Sequence, residues 1–169
     1  MITRLAAVAA IAGALMAGPA LAETLPRPAD DVILTVTGEI ANTNADGAAE
    51  FDLAMLEALP ATEYTTETIW TEGEHTFRGV ALGELMDRVG AEGSTISAVA
   101  INDYAVDIPM SDAAKGRALV AYRLDGETMS VREKGPLWIV YPYSSDAGFR
   151  SEVIYSRSIW QLKELKVGS

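Results

Sequence analysis

One segment of this chain is marked clearly as helix, and nearly everything around it reads as strand. Leu82, Leu85, Met86 and Val89 stand at i, i+3, i+4 and i+7, and Gly90 follows as a left-handed stop. Around it run short β-branched or aromatic stretches separated by turn residues. Val32–Ile40 reads as a first strand and 42–50 as a polar loop. Asp52 caps a short helix through Leu59, which Pro60 ends. Thr62–Thr71 has strand spacing, and Glu72-Gly73 turns the chain into a strand through His75 and Phe77. Thr95–Ile101 and Tyr104–Ile108 form a hairpin about Asn102-Asp103, and Ser111 caps one helical turn. Ala118–Tyr122 runs into the turn Asp125-Gly126, and Leu137–Tyr141 is a strongly apolar strand. After an irregular stretch with Gly148 and Arg150, Trp160–Val167 reads as a closing edge strand. The expectation is an α+β domain of mixed sheets and short helices.

The first 22 residues stand apart. Arg4 precedes an apolar run from Leu5 to Ala17, Gly18-Pro19 breaks it, and Ala20-Leu21-Ala22 suits a signal peptidase. The run is shorter than the roughly 20 apolar residues a membrane span needs. The reading is a cleaved Sec-type signal over 1–22, an extended lead-in over 23–31 and a single domain over 32–169. It places the chain in the periplasm or outside the cell, with no membrane anchor after cleavage.

Charge and cysteine content remove whole classes of function. A net charge of −11 opposes a phosphate backbone, so no nucleic-acid partner is expected. With no cysteine there is no disulfide, thiol nucleophile or thiolate metal site. There is one histidine, His75, on a strand between Glu74 and Thr76, and it reads as a surface side chain. Asn42-x-Asn44-x-Asp46-Gly47 begins like a calcium loop, but Leu53 stands where the closing carboxylate belongs. No metal site and no catalytic residue are assigned. The aromatic residues are more informative, because rings with polar tips can line a pocket as well as fill a core. Trp70, Asn102, Asp103, Tyr104, Trp138 and Tyr141 are the candidate ligand-binding residues.

Five segments in order carry a family resemblance. Phe77-Arg78-Gly79-Val80-Ala81-Leu82-Gly83-Glu84-Leu85-Met86 resembles the Trp-x-Gly-Val-Pro-Leu-x-x-Leu-Leu segment of sulfite-oxidase-type molybdopterin-binding domains. Ala98–Ile108 is similar to that family's strand-turn-strand, and Leu119–Met129 to its Leu-Ala-Tyr-x-x-Asn-Gly stretch. Gly135-Pro136-Leu137-Trp138 resembles Gly-x-Pro-Leu-Arg, and Ser158–Val167 its closing segment. The resemblance spans Val32 to Val167 and implies a mixed α+β fold with a pterin-sized cleft.

It also implies chemistry that this chain lacks. The family holds molybdenum through a cysteine thiolate, from the strand that here reads Glu67-Thr68-Ile69-Trp70, and a hydroxyl or indole does not replace a soft anionic sulfur. Trp138 stands where the family has an arginine, and Ile159 where it has a lysine. Family members are implied to cross the membrane folded, behind a twin-arginine signal, whereas Met1–Ala22 has only Arg4. The function expected is therefore an exported, non-catalytic module that binds a small molecule or a membrane-associated protein partner, with no cofactor. The alternative is a molybdopterin-dependent oxidoreductase with an atypical metal site lacking the cysteine ligand, its molybdopterin implied by the resemblance alone.

Overall fold

A computed structural model describes residues 24–169, so the segment read as a signal lies outside the described residues. Two sheets divide the strands. The first is ordered β2 (Ala48–Phe51), β1 (Leu34–Gly38), β10 (Leu162–Gly168), β5 (Thr95–Ala100) and β6 (Ala105–Pro109). Its one parallel pair is β1 with β10, and the rest are antiparallel. The second is β3 (Ala61–Glu67), β4 (Glu74–Ala81), β7 (Leu119–Leu124) and β8 (Glu127–Thr128), with β9 (Trp138–Val140) also antiparallel to β7. Mixed sheets with short helices bear out the α+β reading.

One core joins both layers. Leu34, Val36, Ile96 and Leu165 of the first sheet and Phe77, Val80, Leu119 and Trp138 of the second are fully buried in the same cluster. Each such side chain contributes roughly 1.5–3 kcal/mol on leaving water. The marked helix is α2, Leu82–Val89, and it adds Leu82, Leu85, Met86 and Val89 to that core. Gly90 ends it at φ 63°, as the periodicity requires. Asp52 caps α1 (Leu53–Glu57) by accepting from the Met55 amide at 2.8 Å. Its other oxygen accepts from the amides of Ala29 and Asp30, which ties the lead-in to the domain. These amide donors, Met55 foremost, hold the Asp52 carboxyl below the usual carboxylate range.

Four local readings are corrected. The closing strand is no edge: β10 lies between β1 and β5 at the centre of its sheet. Its Lys163, Glu164 and Lys166 gave it an edge-like look, but a sheet with one wet face shows that alternation in central strands too. Part of the 42–50 loop is β2, whose small Ala48 and Ala49 carry little strand preference and are held by pairing with β1. The strand read to Thr71 stops at Glu67, because the Thr68 hydroxyl accepts from the amides of Trp70 and Thr71 and folds a turn. The irregular stretch contains α3, Glu152–Arg157, with Ser151 as its cap. Among the described residues no helix is long and apolar enough to cross a membrane.

Candidate functional site

Trp70 is the hub of an aromatic cluster. The turn set by Thr68 carries it beyond the end of β3, where its ring meets those of Trp138, Tyr143, Tyr155 and Trp160. Centroids lie 5.6–6.1 Å apart, and every pair is close to edge-on. Three stretches bring these rings together: β9 and the segment after it carry Trp138 and Tyr143, α3 carries Tyr155, and the segment leading into β10 carries Trp160. Trp138 and Trp160 also bridge backbone to backbone. The ammonium of Lys134 sits 5.6 Å from the centre of the Trp138 ring and 5.9 Å from that of Trp160.

Beside this cluster opens a cavity of about 330 Å³, walled by the rings of Trp70, Tyr104, Tyr155 and Trp160. Asn102, Ser156, Ser158 and Gln161 supply its polar lining, and no Lys, Arg, Asp or Glu side chain lines it. Gln161 is held with unusual care. It adopts φ 51°, a left-handed conformation that costs a non-glycine residue roughly 1–2 kcal/mol. Its amide donates to the Lys134 carbonyl at 3.0 Å, its carbonyl accepts from Ile101 at 2.9 Å, and its side-chain nitrogen donates to the Val131 carbonyl at 2.7 Å. Backbone strain persists where surrounding contacts over-determine it, a situation frequent at ligand sites.

Of the six candidate residues, the structure brings Trp70, Asn102 and Tyr104 to this cavity. Asp103 stands at the same hairpin turn, but its carboxylate pairs with Lys163 at 2.6 Å and points to water. Trp138 and Tyr141 are at 0% exposure and do not line the cavity: Trp138 packs behind Trp70 and Trp160, and Tyr141 packs against Tyr143 and Phe149. The Trp138 indole donates to the Ser158 carbonyl, and the Tyr141 hydroxyl to Asp112 at 2.9 Å. Burial first, then the Asp112 charge, push the Tyr141 phenol far above its ordinary range. Tyr155, Ser156, Ser158, Trp160 and Gln161 line the cavity but are not among the six. The signal for Tyr155 and Ser156 is the cap Ser151, with Glu152 in the first turn and Arg157 in the last, which marks a short helix.

The residues present do not fit the molybdenum-pterin group that the resemblance implies. The chain has no cysteine, and among the described residues no three His, Asp or Glu side chains gather as a metal site. Position 138, where the family has arginine, is a buried tryptophan, and Ile159, in place of lysine, is 4% exposed. An anionic cofactor would meet apolar packing at both places. In the neighbouring cleft around Thr68 and Tyr143 the cation is Arg150, which donates to the Tyr143 carbonyl at 2.8 Å.

Comparison with known proteins gives the lineage of this scaffold. Residues 24–151 match the family described as "Oxidoreductase molybdopterin binding domain". The fold is similar to that in the crystal structure of the sulfane dehydrogenase SoxCD from Paracoccus pantotrophus, with a TM-score of 0.58 and 16% identity over 85% of this chain. This chain spans only 40% of that protein. No curated protein matches it in sequence.

Proposed function

Because this chain belongs to the oxidoreductase molybdopterin binding domain family yet has no cysteine to hold a metal, we propose that it is an exported, non-catalytic module that binds a small molecule in its aromatic cavity. The observation that carries this is the lining: four rings and four neutral polar side chains around about 330 Å³, within the range of small-molecule sites. Rings supply apolar area and stacking faces, and a site without charge selects by shape and hydrogen bonding. Export rests on the pattern of Met1–Ala22. A membrane-associated protein partner draws support only from the exposed rings of the same rim, Tyr104 at 55% and Trp160 at 38%.

The family membership keeps a second reading in view, a molybdopterin oxidoreductase with an atypical metal site. Protein purified from its native export compartment separates the two. The expected result is no stoichiometric molybdenum, and a small-molecule adduct in native mass spectrometry that Trp160→Ala removes. Stoichiometric molybdenum with oxo-transfer turnover would overturn the binding-module reading.

A further inference from the structure

We infer that the ligand of this cavity carries a quaternary ammonium head, a compact cation whose charge is wrapped in methyl groups. The inference rests on the binding-module reading above and names the chemical class of its ligand. Four rings line one cavity of about 330 Å³ and arrive from separate places: Trp70 from the turn after β3, Tyr104 from the hairpin between β5 and β6, Tyr155 from α3, and Trp160 from the segment before β10. They do not lie parallel. Trp70 stands at 84° to Tyr155 and at 72° to Trp160, with centroids 5.6 and 5.8 Å apart. The corner of such a T is bounded by a face of each ring, and the face is the negative side of the ring quadrupole. Indole is the best of the ring faces for a cation, and phenol also serves.

To shape and hydrogen bonding the rings thus add a field, and the charge balance decides what it selects. No carboxylate, ammonium or guanidinium lines the cavity. Its polar groups are neutral: the amides of Asn102 and Gln161, the hydroxyls of Ser156 and Ser158, and the phenol and indole tips of the rings. An anion would meet ring faces of the wrong sign, in a chain of net charge −11. A primary ammonium is strongly hydrated and carries three N–H donors, so it would give up water with no carboxylate to receive them. A quaternary ammonium donates no hydrogen bond, and ring faces suit its diffuse charge. The chain itself uses these rings in this way, because the Lys134 ammonium lies 5.6 Å from the centre of the Trp138 ring and 5.9 Å from that of Trp160. Lys134 does not line the cavity, but its charge opposes a second cation nearby, which gives the proposal a test of sign. Arg157 and Lys163, which flank lining residues in the chain, are paired with Asp112 and Asp103.

Three probes of similar size test this by isothermal titration calorimetry at fixed ionic strength, with the full chain after signal removal. Choline has the quaternary head, 3,3-dimethylbutan-1-ol is its uncharged carbon isostere, and ethanolamine puts a primary ammonium on the same alcohol. Choline should bind at least about tenfold more tightly than either comparator. Tyr104→Leu removes an exposed ring and keeps an apolar side chain. It should weaken choline about threefold or more without weakening the isostere, and Tyr104→Phe should restore the affinity. Lys134→Gln removes the opposing charge, so it should tighten choline about twofold or more and leave the isostere unchanged. Unchanged urea midpoints show that these variants fold. Equal binding of choline and its isostere, or weaker choline binding by Lys134→Gln, overturns the cationic ligand and leaves the cavity standing as a site for a neutral molecule. Ethanolamine binding as tightly as choline overturns the requirement for a quaternary head. Full choline affinity in Tyr104→Leu overturns the role given to the ring wall. Binding of none of the three overturns the proposal, and the binding reading falls with it only if native mass spectrometry also finds no adduct.

Discussion

Asp112 is the buried carboxylate that ties Tyr141 to Arg157 at the end of α3, and its removal has a calculable cost. Its side chain is 2% exposed. One oxygen accepts from Arg117 at 3.2 and 2.8 Å, and the other from Arg157 at 3.0 Å and from the Tyr141 hydroxyl at 2.9 Å. Asp112→Asn keeps the shape but removes the charge and turns an NH₂ group toward donors. Removing one partner of a buried ion pair costs about 3–5 kcal/mol when the charge left behind stays dry. Here Arg117 and Arg157 are 37% and 23% exposed and regain some water, which brings the expected loss to about 2–4 kcal/mol. In a domain of this size about 3 kcal/mol corresponds to a Tm lower by roughly 6–12 °C. Urea unfolding at neutral pH should show the midpoint falling with an unchanged slope. Because Arg157 ends α3, which carries Tyr155 and Ser156, ligand binding should weaken as well. A loss below about 1 kcal/mol would mean that the cluster behaves as a surface ion pair, and the account of a buried carboxylate holding α3 would fail.

Two pH dependences follow from other groups. Burial raises the Tyr143 phenol to about 12, against 10.0 for an ordinary tyrosine. The unfolded chain then releases this proton at lower pH than the folded one, so the contribution is intact below pH 10.0 and is lost as pH rises toward about 12. An alkaline titration of phenolate absorbance should show Tyr143 ionising together with unfolding; early, reversible ionisation in the native state would contradict its burial. On the surface, His75 hydrogen-bonds Asp125 at 2.7 Å, which raises the imidazole above its ordinary 6.5 and lowers the Asp125 carboxyl. The stabilisation from His75 is therefore present below pH 6.5 and is lost as pH rises through its folded value. NMR titration should show the His75 transition moving back toward 6.5 in Asp125→Asn, and an unmoved transition would refute the coupling.

Legibility in the sequence followed the range of the forces involved. Asp52, Gly90, the Asn102-Asp103 turn and the Asp125-Gly126 turn act within a few residues, and they appear where local chemistry puts them. The centrality of β10 and the pairing of β2 depend on partners far along the chain, so no local pattern announced them. The site divided in the same way. Trp70, Asn102 and Tyr104 were visible as exposed-capable rings and turn residues, whereas Gln161 looked like an ordinary strand residue. Its left-handed backbone and its anchoring to Val131 arise from tertiary contacts.

The resemblance to molybdopterin domains is carried by positions that shape backbone, which is why it survives without the chemistry. A Cβ at Gly79 would run into the Val120 carbonyl of the neighbouring strand, and one at Gly135 into the Met129 carbonyl. Asp103 and Gly126 turn the chain at φ 64° and 86°. Such residues specify a fold, while function has to be read from the site grafted on it. Restoring the family's arginine tests this division. In Trp138→Arg the guanidinium would enter a place at 0% exposure, against Trp70, Phe77 and Trp160 and beneath the Lys134 ammonium. An unpaired buried charge, added to the lost ring contacts, should cost at least about 4 kcal/mol, a large share of the roughly 5–15 kcal/mol of an ordinary domain. Urea unfolding should therefore find the midpoint sharply lowered. A variant folded to within about 1 kcal/mol of the parent would show that position 138 still accepts a cation, and the apolar packing claimed there would have to be abandoned.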